Sequence, residues 1–223
     1  PSGINIERFD EKMKLEQNRR LVTYYSLLTQ MRVNGGNDYI NLVNSILSGK
    51  CNQQACLENY DFKVMSDFNR FNNLQQKLED EFTLSRMIAG YAWEWKSKKD
   101  KSLYDMELDG VKKQWNYRLE NWVLSEGADK QVGCIHTIQG FDLNYGFVIM
   151  GNEIGYDPES KEIIVRPENY YDQNGRKTAS KEELLEYIKH IYYVLMTRGI
   201  KGTYLYICDD NLRKYVSSII GEI

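Results

Sequence analysis

Hydrophobic and polar positions along the chain form runs whose period switches between a helical and a strand-like repeat. Residues 4–20 (INIERFDEKMKLEQNRR) carry many charges and few apolar positions, which predicts a surface helix. The stretch TYYSLLTQMRV at 23–33 is rich in β-formers and is closed by Asn34-Gly35-Gly36, a turn signal. Within 38–48, Ile40, Val43, Leu47 and the Leu42/Ile46 pair recur at helical spacing, with Asp38 placed as an N-cap and Gly49 as a stop. YDFKVMS at 60–66 alternates as a strand does. The following 67–82 segment sets Phe68, Phe71, Leu74, Leu78 and Phe82 along one side of an amphipathic helix.

Residues 84–130 are less regular. SRMIAGYAWEW reads as a strand, KSKKDK as a charged loop, and YDMEL, VKKQWNY and NWVL as short strands. Beyond Gln131, VGCIH and FVIM are short buried strands separated by the loop IQGFDLNYG. The polar stretch 155–180 holds a predicted hairpin around Ile163–Val165 and a turn at Asn174-Gly175. Ser180 with Glu183 forms a capping-box pattern, and it opens a helix striped by Leu184, Ile188, Ile191 and Leu195. KGTYLYICD then reads as a strand with an apolar core, and DNLRKYVSSII as a last helix capped by Asp209 or Asp210. Strands read as unbroken apolar runs when both their faces are covered. The order of elements therefore predicts an α/β fold with a mostly parallel sheet and helices on both faces.

Composition narrows the class. With 42% hydrophobic and 27% charged residues over 223 positions, the chain is neither disordered nor collagenous. No apolar run approaches the roughly 18 residues of a membrane span, and the opening PSGINIERFD has no apolar signal core. Cys134 and Cys208 lie in apolar runs as small hydrophobes, and Cys51 and Cys56 stand far from both histidines, so neither zinc nor a disulfide framework is expected. A reduced, cytoplasmic protein without membrane association is the expectation. The missing initiator methionine hints at an excised fragment, although a cleaved tag would leave the same trace. A net charge of −3 argues against a dedicated nucleic-acid-binding module, because phosphate neutralisation supplies most of such affinity. It leaves room for a domain that holds one strand through a few contacts.

Three stretches concentrate polar chemistry. LLTQMRVNGG puts Arg32 after a strand-like run. IHTIQGFDLNYGFVIM puts His136, Thr137, Gln139, Gly140 and Asp142 in a loop between two buried strands. YYVLMTRGIKGTYLYI puts Thr197 and Arg198 where a helix runs into a strand. Ligands of open α/β sheets collect beyond the carboxyl ends of the strands, and Arg32 and the 136–142 loop are expected there.

These phrases carry a resemblance. IHTIQGFDLNYGFVI resembles motif V of superfamily 1 helicases, a His/Thr-x-x-Gln/Lys-Gly-x-Glu loop between strands. YYVLMTRGIKGTYLYI resembles motif VI, and LLTQMRVNGG is similar to motif IV. With GYAWEW at 90–95, the set resembles the Schlafen group 3-like DNA/RNA helicase domain family from about Tyr24 to Tyr215. The resemblance implies a RecA-like fold, the second motor domain of a P-loop NTPase, with inserted hairpins. It implies that Arg32 and Arg198 are catalytic, meeting the γ-phosphate with planar guanidinium forks. It places Gln139, Gly140, Asp142 and Thr197 in ATP binding and coupling, and His136 and Thr137 near the nucleic-acid backbone. Asp142 stands where many relatives carry Glu, so its contact there is one methylene shorter.

No G-x-x-x-x-G-K-[ST] occurs; Gly49-Lys50 is followed by Cys51, and position 44 is Asn. The expected division is therefore 1–22 as a charged helical tail of a missing first motor domain. Residues 23–223 would form the second domain, with insertions near 91–130 and 155–180. ATP and Mg²⁺ would belong to the full-length protein, with neither held tightly by this stretch alone and no metal site in it. The expected partners are the first RecA-like domain of the same chain and single-stranded DNA or RNA. The alternative is a catalytically inactive RecA-like binding or scaffold module in a defence or stress-response assembly. Each residue also has an ordinary reading. An arginine at a helix C-terminus suits the helix dipole, Gly140 suits a turn with positive φ, and His136 suits a hydrogen-bonded strand end. Trp93 and Trp95 can stack on bases or pack on a sheet face. The cluster Lys96, Lys98, Lys99, Lys101 can meet phosphate or simply be solvated.

Overall fold

The computed structural model describes residues 14–15, 31–118, 120–172, 176 and 179–223. The chain divides into two units, 1–30 and 31–223. Apart from Lys14 and Leu15, the charged segment at 4–20 lies outside the described residues, as do 23–30 and the Asn174-Gly175 turn.

The elements of the second unit are α1 (Gly36–Leu47), β1 (Asp61–Val64), α2 (Phe68–Phe82), β2 (Ser85–Ala89), β3 (Met106–Leu108), β4 (Val111–Lys113), β5 (Val132–Gly133), β6 (Leu143–Met150), β7 (Ile154–Asp157), β8 (Glu162–Val165), α3 (Lys181–Met196), β9 (Gly199–Ile207) and α4 (Asp210–Ile220). Five strands form a parallel sheet in the order β1-β9-β6-β2-β5, and β3–β4 and β7–β8 are separate antiparallel hairpins. This is an α/β fold of the expected class, consistent with a RecA-like arrangement.

Local chemistry accounts for most element ends. The Asp67 carboxylate accepts from Arg70 N at 3.0 Å to start α2, and Asp209 accepts from Leu212 N at 2.7 Å to start α4. The expected capping box opens α3, with Ser180 Oγ accepting from Glu183 N and Glu183 Oε2 from Ser180 N. At α1 the N-cap is Gly35 rather than Asp38, which sits in the first turn; Gly49 follows the helix with φ +75° as its stop.

Strand side chains alternate between two cores. Ile88, Val148, Met150, Leu205 and Ile207 face α1, α3, α4 and the β7–β8 hairpin. Met87, Ala89, Phe147, Ile149, Tyr204 and Tyr206 face α2 and the β3–β4 hairpin. On that second face Phe71 meets Phe147 edge-on at 5.0 Å, and Phe68 meets Tyr206 at 5.0 Å.

Three expectations are corrected. The strand read through SRMIAGYAWEW ends at Ala89, where its pairing with β6 stops; the next residue, Gly90, packs so closely on Glu153 and Tyr192 that a Cβ would lie 2.8 and 2.9 Å from their oxygens. NWVL is a 3-10 turn at Trp122–Leu124; the adjacent Trp122 and Val123 are both fully buried, which the alternation of a half-exposed strand does not allow. β6 starts at Leu143 rather than at Phe147, since Leu143 N donates to Arg198 O at 2.9 Å and Tyr145 joins the apolar face. Lys96–Lys98 is a short 3-10 turn within the charged loop. Among the described residues, no helix is long and apolar enough to cross a membrane.

Candidate functional site

All strands of the main sheet start on one edge and finish on the other. Arg198 lies between α3 and the first residue of β9, and Asp142 immediately precedes β6, so both sit at the amino edge. Arg32 arrives there from the segment before α1, where Asn34 N donates to Ile200 O at 2.9 Å. Arg32 Nε meets Asp142 Oδ1 at 2.9 Å, with the two side chains 47% and 44% exposed. The Arg198 guanidinium has its pKa lowered, first by partial burial and then by the charge of Arg32, while Asp142 opposes the shift. Arg198 Nε is buried and has no hydrogen-bond partner among the described residues. Two guanidiniums and one carboxylate thus share a partly open patch with an excess of positive charge.

The backbone around Arg198 is fixed from three directions. Met196 O accepts from Tyr39 OH at 2.7 Å and from Thr203 Oγ1 at 3.0 Å, and Gly199 O accepts from Tyr60 OH at 2.9 Å. The register then slips, so that Leu143 opposes Gly199 while Tyr145 opposes Gly202, which leaves an extra residue in β9 beside the arginine. Only glycine fits at 199, where a Cβ would lie 2.1 Å from Gly202 O. Sequence reading missed Tyr39, Tyr60 and Thr203. The available signal was Tyr39 in the buried phase of α1, where a hydroxyl must find an acceptor.

The expected placement at the carboxyl ends of the strands is corrected for Arg32 and Asp142, while Arg198 stands where a helix runs into a strand, as the sequence implied. The 134–142 loop leaves β5 at its carboxyl end and enters β6 at its amino end, so its beginning and its end serve opposite edges. Thr197 caps α3, is 8% exposed and donates to Val194 O at 3.2 Å. Gln139 and Gly140 are exposed within the loop, Gly140 with φ +86°.

The remaining predicted residues gather at the carboxyl edge. His136 is exposed, its ring 6.1 Å from that of Tyr91. Thr137 is buried, and its hydroxyl donates to Cys134 O at 2.9 Å and accepts from Cys134 N at 2.8 Å, so it serves its own turn. Trp93 and Trp95 are half-buried in a loop rather than on one strand face, and Trp95 meets Trp115 edge-on at 6.2 Å. This edge also holds Glu153, which sequence reading passed over. Glu153 is fully buried, Tyr192 OH donates to its Oε1, and its Oε2 has no hydrogen-bond partner among the described residues. Burial pushes its carboxyl from the usual 4.5 up to about 7. A groove of about 370 Å³ between α1 and α3, lined by Leu47, Glu186, His190 and Tyr193 among others, includes none of the predicted site residues. Among the described residues, no group of His, Cys, Asp and Glu side chains could hold a metal ion.

Comparison with known proteins adds two findings. The family model described as Schlafen group 3, DNA/RNA helicase domain, matches residues 4–209. The chain is also 31% identical over 215 residues to the uncharacterized protein YPL245W of Saccharomyces cerevisiae, covering 86% of this chain and 47% of that protein. No solved structure matches.

Proposed function

This chain belongs to the Schlafen group 3 DNA/RNA helicase domain family, and on that premise we propose that it is the second motor domain of an ATP-dependent helicase or translocase. The observation that carries the reading is the convergence of Arg32 and Arg198 on one patch, on a backbone held by Tyr39, Tyr60 and Thr203. Paired guanidiniums suit the terminal phosphate of a nucleoside triphosphate held by a first motor domain, where charge redistributes as the phosphoryl group departs. The donor set fits that anion: the patch is positive, partly open, and includes a buried N–H without a partner among the described residues. Asp142 offsets part of the repulsion between the two arginines and holds Arg32 in place.

In this reading the 134–142 loop is the coupling element, because it joins the arginine edge to the edge bearing His136 and Trp93. Domain closure over nucleotide would then be felt by a single strand of DNA or RNA on the opposite edge. The chain spans about half the length of its yeast relative, and the activity of a whole protein is part of the proposal. A catalytically inactive RecA-like scaffold module is the second reading, and the net charge of −3 favours it over a dedicated nucleic-acid-binding module.

The test is Arg198→Ala in the intact protein. Turnover of ATP should fall by a factor on the order of a thousand, with nucleotide affinity kept within a few-fold. Unchanged turnover rejects the arginine role. Nucleotide binding without nucleic-acid-stimulated turnover in the unaltered protein favours the second reading.

A further inference from the structure

The segment between β2 and β5 carries lysines that neither the arginine patch nor the core uses. Lys96, Lys98 and Lys99 occupy one short turn and are exposed, and Lys112 is exposed on β4. Charged loops are ordinarily just solvated, but two features distinguish this one. The turn is anchored from beneath. The buried Asp105 carboxylate accepts from Ser97 N at 2.8 Å, Ser97 Oγ at 2.7 Å and Trp115 N at 2.7 Å. Ser97 is thereby pulled inward while the lysines on either side of it face solvent.

Half of the acidic residues of the same segment are engaged locally or turned inward, while Glu94, Glu120 and Glu126 are exposed. Besides Asp105, Asp109 accepts from Phe68 N at 2.8 Å and from Tyr206 OH at 3.3 Å, and Asp100 accepts from Ser102 N and Oγ. Glu107 approaches Lys112 at 3.8 Å. Lys101 donates to Tyr117 O at 2.7 Å, which leaves Lys96, Lys98 and Lys99 as the outward cations of the turn. The turn 96–99 thus carries three ammonium groups and no carboxylate, on a chain whose net charge is −3. Beside it Tyr104 is 53% exposed over a groove of about 290 Å³, also lined by Lys96, Leu103, Asp105, Met106, Glu107 and Lys112.

Ammonium groups next to an open aromatic ring match a strand that presents phosphates and bases together. We propose that this lysine turn grips the phosphodiester backbone of single-stranded nucleic acid, with Tyr104 beside it as a stacking platform. The inference takes its class of partner from the proposed function and is independent of the arginine patch. An acidic protein segment would satisfy the lysines but leave the ring and its groove unused.

The experiment measures fluorescence anisotropy of a labelled single-stranded oligonucleotide on the full chain, without nucleotide, across a salt series. Lys96→Gln/Lys98→Gln/Lys99→Gln should weaken binding at low salt and flatten the plot of log K against log salt by about 2, at roughly 0.7 per lysine. Tyr104→Ala should weaken binding on the order of tenfold with the salt slope kept. Lys181→Gln, an exposed lysine on α3, should leave this binding unchanged, and because no nucleotide is present, a motor reading that fails in the ATPase assay does not take the lysine turn with it. Lys96, Lys98, Lys99 and Tyr104 are exposed, and circular dichroism is to check that each variant stays folded. A triple variant with the affinity and slope of the unaltered chain overturns the proposal. So does a triple variant that loses binding to a polyglutamate peptide while keeping the oligonucleotide.

Discussion

Glu153 offers a quantitative test of the carboxyl edge. In the unfolded chain its carboxyl ionises near 4.5, and in the folded protein burial raises this to about 7. Below pH 4.5 both states are protonated and the residue costs nothing. As pH rises further, the unfolded chain has lost a proton that the folded chain still holds, so stability falls by about 1.4 kcal/mol per pH unit. The loss reaches about 3 kcal/mol near pH 7 and stays constant above it, because both states are then ionised. Glu153→Gln cannot ionise and keeps an acceptor for Tyr192 OH. Its amide N–H₂, facing the site where Oε2 now lacks a hydrogen-bond partner among the described residues, adds a pH-independent cost of about 1–3 kcal/mol. Urea denaturation of both proteins, followed by circular dichroism between pH 4.5 and 8, isolates the effect as a difference. The stability of the variant minus that of the original should climb by about 3 kcal/mol up to pH 7 and then level off. Parallel curves would show that the carboxyl ionises normally in the folded protein, and the argument from burial would fall.

Two further substitutions test the packing and the caps. Gly133→Ala would place a Cβ 2.3 Å from the Trp122 ring, which is fully buried and tied to Gln131 through Nε1. Thermal unfolding should show a loss of about 1–3 kcal/mol, and an unchanged melting temperature would mean the ring moves freely. Ser180→Ala removes the oxygen that accepts from Glu183 N and should cost about 1 kcal/mol. A helix α3 of unchanged stability would show that its packing, rather than its cap, sets where it begins.

Legibility followed the range of the forces involved. Caps and hydrophobic stripes act within a few residues, so α3 and α4 could be read with their starts from Ser180–Glu183 and Asp209, α2 from its apolar stripe, and β9 from its unbroken apolar run, although its ends fall two residues earlier than read. Where local sequence was mixed, distant partners decided. Asn144, Tyr145 and Gly146 look like a loop, and they become strand because β9 and β2 pair with them on both sides. Position 90 admits only glycine because Tyr192 and Glu153 crowd it from elsewhere in the chain.

The same division runs through the candidate site. Sequence alone singled out Arg32, Asp142 and Arg198 by residue type and surrounding phrase, and it determined the parallel α/β class from the period of the strands. It could not determine which edge Asp142 occupies, because its loop begins at one edge and ends at the other, nor where Arg32 falls, whereas Arg198 stands where a helix runs into a strand, which is the amino edge. Only the folded chain brings Arg32 to Asp142, aims Arg198 from a bulged strand, and buries Glu153 under Tyr192. These are contacts between segments far apart in sequence, fixed by packing rather than by any local preference.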